Sequence, residues 1–507
     1  MAVDVARTDL TLGIVGTGLM GRGIAQIAAQ AGVNVLLFDS REGAAAEARN
    51  SIRDILMRQV EKGKLKAADV EGAVGRIRIL EGLDGMAPCH IVIEAIVENL
   101  EVKRQMFQTL EGIVSDGCLL ATNTSSLSVT AIAAGCRFPG RIGGFHFFSP
   151  VPLMKIVEVI DGLLTEGWVG EALTALANRM GHTPVRAKDT PGFIVNHAGR
   201  GFGTEALRIL GEGIAKFYEV DRIMREAGRF RMGPFELLDM TGLDVSHPVI
   251  ESIYDQYYQE PRFRPSPITR QMLIAGTLGR KTNRGFYRYT DGVAEQMPVR
   301  PLPAARPARV WVSRTDPALH AQVMELVTRL GGAIDPGDRP SQDALCIVMP
   351  LGGDATTVAL AEGVDPTRTL ALDTLFELSR RRTLMTTPVT LPEVRDAAHG
   401  LFGGDGVPVS VINDSAGFVA QRVVALIVNI GCDIAQQRIA TPQDIDHAVT
   451  LGLGYPQGPL AMGDTLGAMR ILTILNNMLS FYGDPRYRPS PWLTRRARLG
   501  VSLLTPE

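Results

Sequence analysis

Cysteine is scarce in this sequence: five in 507 residues, namely Cys89, Cys118, Cys136, Cys346 and Cys432. No two of them form a C-x-x-C pair, so neither a disulfide framework nor a zinc site is written here, and a reducing cytosol is expected. Charge of one sign is not in excess either. With 52 basic and 54 acidic residues the net charge is −2, so no nucleic-acid surface or acidic tail is advertised. No apolar run approaches the ~18 residues of a membrane-spanning helix. The start, MAVDVARTDLTLGIVG, carries acids early and runs straight into a strand, unlike a secretory signal. His90, His182, His247, His320, His399 and His447 show no metal-ligand spacing. The expectation is a cytoplasmic protein with no metal, nucleic acid or membrane as partner. What is present is ordinary for a soluble globular chain, 45% hydrophobic and 21% charged. The length is too great for one core and predicts two to four domains.

The N-terminal end carries a nucleotide signature. Leu10 to Val15 is a buried-strand pattern, followed at once by GTGLMG, Gly16 to Gly21. A helical pattern continues through Ala31, and a second strand, Val33 to Phe38, ends in Asp39. Gly16 permits a tight turn, Gly18 lets backbone N–H groups approach a pyrophosphate, and Gly21 lets the helix pack close to the sheet. The helix N-terminus, beginning with Leu19 and Met20, attracts the anion. Asp39 can accept both ribose hydroxyls and repel a 2′-phosphate, which favours NAD over NADP, although Arg41 nearby tempers that preference. Placed between a strand and a helix, with an acid about 20 residues on, the glycine pattern is specific.

Three later runs end strands in polar groups. HIVIEAIVENLEVK, 90 to 103, places Glu98 and Lys103 beyond the carboxyl end of a strand, where ligands collect in open parallel sheets. CLLATNTSSLSV, 118 to 129, runs into Asn123, Ser125 and Ser126, which can cap the next helix or touch a ligand. HFFSPVPLMKIVEVI, 146 to 160, joins two strand-like stretches through a Ser-Pro-Val-Pro turn that cannot continue a ladder. Folding one stretch back on the other brings His146 roughly opposite Glu158. That pair suits proton transfer; a core histidine beside a surface glutamate is the bland alternative.

Together GTGLMG, EAIVENLEVK, NTSSL, HFFSPVPLMKIVEVI and DTPGFIVN (189 to 196) make the chain resemble the L-3-hydroxyacyl-CoA dehydrogenases over roughly residues 8 to 290. The resemblance implies NAD-dependent oxidation of the 3-hydroxyl of an acyl-CoA. It implies His146 as general base and Glu158 as its partner, with Ser125 and Asn196 bonding the reacting oxygens. Glu98, Lys103 and Asn123 would lie along the cofactor, with Gly16, Gly18, Leu19, Met20, Gly21 and Asp39. The family usually reads HFFNP, so Ser149 puts the substrate-side geometry there in doubt. His197, beside Asn196, is expected to face away from the cleft. Lys62 and Lys64, in RQVEKGKLK, fall where the family holds CoA phosphates, though a solvated charged face also explains them. Asn196 and Arg200 are four apart at a helix start and would share a face. Members of the family from phenylacetate degradation also place an arginine there, and their substrate ends in a carboxylate. Solvent or a CoA phosphate is the other reading of Arg200. A dehydrogenase of a small free hydroxy acid such as gulonate, or a non-catalytic acyl-CoA-binding protein, are the rival functions.

The chain also repeats itself. DSAGFVAQRVV at 414 matches DTPGFIVNHAG at 189, YPQGPLAMGDTLG matches FRMGPFELLDMTG, and RYRPSP matches RFRPSP, each about 225 residues on. A repeat this long means a duplicated unit. Gln421 replaces Asn196, no G-x-G-x-x-G precedes the second copy, and RTLMTTPVT reads as a remnant of HFFSPVP with Leu384 near the histidine's place. The expected organisation is an α/β Rossmann-type NAD-binding domain (1–188) and an all-α domain (189–290). A proline-rich linker (291–310), a degenerate partial Rossmann-like segment (311–410) and a second copy of the all-α domain (411–507) follow. The family pairs through its helical domain, so an internal pseudo-dimer, or a homodimer, is expected.

Overall fold

Short apolar strands alternating with helices through the first 190 residues dictate a parallel sheet covered on both faces. The computed structural model, which describes residues 3–507, builds that sheet from eight strands. They are β1 (Thr11–Val15), β2 (Asn34–Phe38), β3 (Ile77–Ile79), β4 (Ile91–Glu94), β5 (Leu119–Thr122), β6 (Ile142–Phe147), β7 (Ile156–Asp161) and β8 (Thr183–Lys188). Their order is β3-β2-β1-β4-β5-β6-β7-β8. Only the β6/β7 pair is antiparallel. Leu12, Ile14, Val35 and Ile93 point into one buried layer, and Val15, Val92, Phe107 and Leu120 into the other. The chain reverses its direction of travel across the sheet between β1 and β4, which opens a crevice at their carboxyl ends.

The described residues form two compact units that cut across the five linear segments. One holds residues up to His197 together with Gln437–Leu453; the other holds Ala198–Gln436 with Gly454–Thr505. The helix Pro442–Leu453 therefore belongs with the first sheet, although its sequence lies in the second helical copy. It lies along β8 and β7, and the Lys188 N–H donates to Ile439 O at 2.9 Å. An edge strand needs such a cover.

The second unit begins with helices and a small hairpin, β9 (Tyr289–Thr290) with β10 (Val293–Ala294). Beyond the prolines it forms β11 (Val310–Val312), β12 (Leu345–Val348), β13 (Thr369–Leu372), β14 (Arg382–Thr386) and β15 (Val409–Ile412). These run in sequential order, parallel except for β13/β14. The pattern reproduces β4 to β8 and corrects the expectation for Leu384. The Asp373 N–H donates to Thr383 O at 3.0 Å, continuing the Ala371–Met385 register as His146–Glu158 continues Gly144–Ile160. Asp373 stands where His146 does, Thr383 stands where Glu158 does, and Leu384 is a buried β14 residue. The likeness of TTPVT to SPVP was local to a turn one strand later. Its last strand is covered in the same way as β8: the Asn413 N–H donates to Ile214 O at 3.0 Å.

Also in the second unit, the Arg200–Gly211 helix of the first copy packs on the Val419–Gln436 helix of the second. Arg422 Nε meets Glu205 Oε1 at 2.7 Å, with both side chains 0% exposed. Tyr487 donates to the same carboxylate oxygen at 2.8 Å. The Val419–Gln436 helix corrects a second expectation. By length and composition it is apolar enough to cross a membrane, but 89% of it is buried inside the protein, where Arg422 and Asn429 find partners.

Candidate active site

The antiparallel β6/β7 pair sets His146 directly opposite Glu158 on one face of the sheet. His146 Nδ1 lies 2.6 Å from Glu158 Oε2. The other oxygen, Oε1, accepts the N–H groups of Ile194 at 2.9 Å and Val195 at 2.8 Å. Three hydrogen-bond partners fix the position of this buried carboxylate. A carboxylate on Nδ1 fixes the imidazole tautomer and leaves Nε2 as the working nitrogen. The two N–H groups converge because the turn before them is bent: Gly192 and Phe193 have φ of 76° and 48°. A non-glycine residue in that region costs on the order of 1–3 kcal/mol and persists where the surroundings hold it. Phe193 is buried with its ring 5.9 Å from the His146 imidazole, and Phe148 lies against it at 4.4 Å.

Asn196 follows on the short Val195–Ala198 helix, and its Nδ2 donates to Ser125 O at 3.4 Å. Ser125 in turn belongs to a network around Glu98. Glu98 Oε1 accepts from the Thr124 hydroxyl at 2.6 Å, the Ser125 N–H at 2.9 Å and the Ser126 hydroxyl at 3.0 Å. Burial opposes ionisation of Glu98. The Thr124 hydroxyl, the Lys103 ammonium, the Ser125 N–H and the Ser126 hydroxyl outweigh it and hold the carboxyl below its ordinary range. Lys103 is 1% exposed and is clamped between Glu94 at 2.6 Å and Glu98 at 3.3 Å. Its ammonium is therefore spent on these two carboxylates. Glu94, with Thr122 on its second oxygen at 2.8 Å, is the partner the sequence did not assign. An acid closing an apolar strand, IVIE, was the available signal. Asn123 Oδ1 accepts the Phe147 N–H at 2.9 Å, which ties the end of β6 to the serine loop.

At the other end of the crevice the glycine loop fits a dinucleotide. A Cβ on Gly16 (φ +91°) would sit 2.6 Å from Ala95 O, and one on Gly21 would sit 1.9 Å from Gly16 O. At Gly18 a Cβ would meet nothing within 4 Å, so open space lies above the start of the Leu19–Gln30 helix, which no side chain caps. Free N–H groups facing open space are what a pyrophosphate needs. Leu19 is exposed there and Met20 half-buried. Asp39 Oδ2 accepts from the Thr17 N–H at 2.7 Å and the Thr17 hydroxyl at 2.9 Å, and Oδ1 accepts from the Arg41 N–H at 3.0 Å. Burial opposes its charge, but the Arg41 and Thr17 N–H groups prevail and hold its carboxyl low. The Arg41 guanidinium pairs with Glu47 at 2.6 Å. That satisfies the one cation that argued for a 2′-phosphate.

A cavity of about 490 Å³ opens between the Leu19–Gln30 helix and the loop after β6, lined by Leu19, Arg22, Gln59, Lys64, Pro150, Leu153 and Lys155 among others. It has cations and no carboxylate in its wall. Of the two predicted lysines it includes Lys64. Lys62 caps the preceding helix and lies outside it. Arg22 and Lys155 went unread because they are 133 residues apart in sequence. Ser149 is exposed at the head of the same loop, and His197 is buried. Arg200 falls in the other compact unit, at the start of the Arg200–Gly211 helix. Burial lowers its pKa to about 10, with Tyr455 acting the other way. No cluster of potential metal ligands exists among the described residues.

The chain matches two family models. That for the NAD binding domain of 3-hydroxyacyl-CoA dehydrogenase covers residues 11–190, and that for the C-terminal domain of the same enzyme covers 192–289 and again 417–502. It is 36% identical over 493 residues to 3-hydroxyadipyl-CoA dehydrogenase of Escherichia coli K12, covering 96% of this chain and 98% of that one. It is 40% identical over 278 residues to a probable 3-hydroxybutyryl-CoA dehydrogenase of Bacillus subtilis, covering 55% of this chain and 96% of the relative. The solved structure of 3-hydroxybutyryl-CoA dehydrogenase from Escherichia coli K12 superposes with a TM-score of 0.86 at 34% identity, covering 97% of this chain and 98% of the other.

Proposed function

This chain belongs to the 3-hydroxyacyl-CoA dehydrogenase family, and from that premise we propose that its acyl substrate ends in a carboxylate, as in 3-hydroxyadipyl-CoA. It is an NAD-dependent enzyme that oxidises (S)-3-hydroxyacyl-CoA to 3-oxoacyl-CoA. This displaces the free hydroxy-acid and non-catalytic readings.

In the proposed mechanism, NAD when bound accepts the hydride from C3. His146 Nε2 takes the proton of the 3-hydroxyl as that hydride leaves, which lowers the barrier to C–H cleavage. Glu158 holds Nδ1–H and stabilises the imidazolium. Ser125 and Asn196 bond the oxygen that becomes a carbonyl, and Glu98 keeps the serine loop in place. Arg22, Lys64 and Lys155 take the CoA phosphates; cations without carboxylate neighbours suit them. The proposed sites lie in the N-terminal and first helical segments, with the second half non-catalytic.

The carboxylate reading rests on full-length likeness to an enzyme named for a dicarboxylic acyl group, together with a half-buried cation at Arg200. A guanidinium partly withdrawn from water, with its pKa lowered to about 10, stays charged at pH 7 and gains from a carboxylate that binds it bidentately. Arg200→Leu should lower kcat/KM for 3-hydroxyadipyl-CoA by ~2 kcal/mol, the scale of a charge-assisted pair, and leave 3-hydroxybutyryl-CoA nearly untouched. Equal losses on both would assign Arg200 to CoA or to structure.

We further propose a cytoplasmic enzyme whose two helical copies form an internal pseudo-dimer. Light scattering should then give a monomer near 54.7 kDa; a mass twice that would favour a homodimer.

A further inference from the structure

The second half of the chain has no catalytic pair, yet it supplies a helix to the compact unit that holds His146 and Glu158. That helix, Pro442–Leu453, ends in Gly452-Leu453. Gly452 makes a close contact there. A Cβ built on it would lie 3.0 and 3.1 Å from the two γ-methyls of Val195 and 3.6 Å from its Cβ.

Val195 is one of the two residues whose N–H groups hold Glu158 Oε1. Its side chain is 1% exposed, so it has little room to yield. The rest of the helix and the turn before it are anchored on the same sheet. The Lys188 N–H bonds to Ile439 O at 2.9 Å, and the Arg186 N–H is directed at Asp444. Both belong to β8, the parallel neighbour of β7, and β7 carries Glu158. The helix is thus held against β8 at one end and rests on Val195 at the other.

We propose that Gly452 is a positioning residue for the dehydrogenase reaction of the first half. By admitting the Pro442–Leu453 helix to within contact of Val195, it seats the Ile194–Val195 N–H pair on Glu158, which in turn orients His146. The catalytically silent half of the chain therefore completes the working site. This rests on the family reaction and on the His146–Glu158 pair, not on the identity of the acyl group, so acetoacetyl-CoA with NADH serves as the assay.

Gly452→Val in the full-length protein should push Val195 and its N–H away from Glu158. The expected result is a kcat lowered on the order of 10- to 100-fold, with KM for NADH unchanged. In this direction His146 gives the proton, so the alkaline limb of the kcat/KM profile should move to lower pH, because the imidazolium loses an aligned carboxylate. Val195→Ala added to Gly452→Val removes the offending methyls and should restore most of the rate and the original pH limb. In a Glu158→Gln background Gly452→Val should change nothing further. Should Gly452→Val reduce the soluble yield, Gly452→Ala gives the same directions at smaller size, with NADH fluorescence confirming an intact cofactor site. A Gly452→Val enzyme with wild-type kcat and pH profile overturns the proposal. So does a loss that Val195→Ala leaves uncorrected, or one that persists undiminished without Glu158.

Discussion

The β6/β7 pair and the β13/β14 pair are the same structural device with different chemistry. Each runs antiparallel inside an otherwise parallel sheet, and each has a parallel strand beyond it covered by a helical segment. In the first, His146 faces Glu158, whose free oxygen is held by two N–H groups. In the second, Asp373 faces Thr383. Burial raises the Asp373 carboxyl, against a hydrogen bond from Gln421. Gln421 has one methylene more than Asn196 would. It donates to Asp373 at 3.0 Å and Pro350 O at 3.1 Å, and accepts the Gly352 N–H at 2.7 Å. All its polar groups are spent inside the protein. Gly352 itself lies against the Ile474 backbone, where a Cβ would come within 2.5 Å of a carbonyl oxygen. The second cleft has been converted into packed interior. A duplicated fold keeps its backbone by keeping its apolar pattern, while the polar positions that form a site in one copy are free to differ in the other.

The comparison is tested most severely by removing the base. His146→Ala should lower kcat by ~10³-fold or more and leave NADH affinity nearly unchanged, since the base acts in the transition state. Asp373→His with Thr383→Glu should not restore any of it, because the second copy has neither a glycine loop nor an open cleft; measurable rescue in that triple variant would break the comparison. Glu158→Gln should itself cost about 10²-fold or more, and adding it to His146→Ala should cost little further, because the two act as a unit.

Next in size is stability. Arg422→Met leaves Glu205 buried without its principal cation, and denaturant titration should show a loss of about 3–5 kcal/mol. An exposed pair such as Arg41–Glu47, at 64% and 66% exposure, should change little under the same test. Equal effects would mean that the join between the helical copies is not fixed by that ion pair.

The smallest expected change separates the sheets by cofactor. Asp39→Ala should raise KM for NAD about tenfold and narrow the gap between NAD and NADP, the scale for losing a charged hydrogen bond. Its effect should appear in KM before kcat. A wild-type preference for NADP would refute the assignment of Asp39.

Much of the first unit was legible because each of its signals is local. The glycine loop, the acid ending β2 and the His–Glu pair across one turn all span fewer than about 25 residues, and strand and helix periods read directly from the apolar pattern. Glu94 beneath Lys103 was missed because its partner is decided by which strand ends meet, and the cavity lysine Lys155 because its neighbours come from another element. Leu384 was misplaced because a turn-like TTPVT resembles SPVP, and sequence likeness over five residues does not fix strand register.

The sequence by itself determined the reaction class, the cofactor and the duplication, since these are carried by residue types at short spacings that chemistry constrains. The tertiary structure alone decided that the helix Pro442–Leu453 closes the first sheet, that Gly452 rests on the loop holding Glu158, and that Gln421 fills the second cleft. Those contacts join residues 48 or more positions apart. Spacing carries no record of such contacts; they arise only when packing brings two apolar surfaces within van der Waals reach.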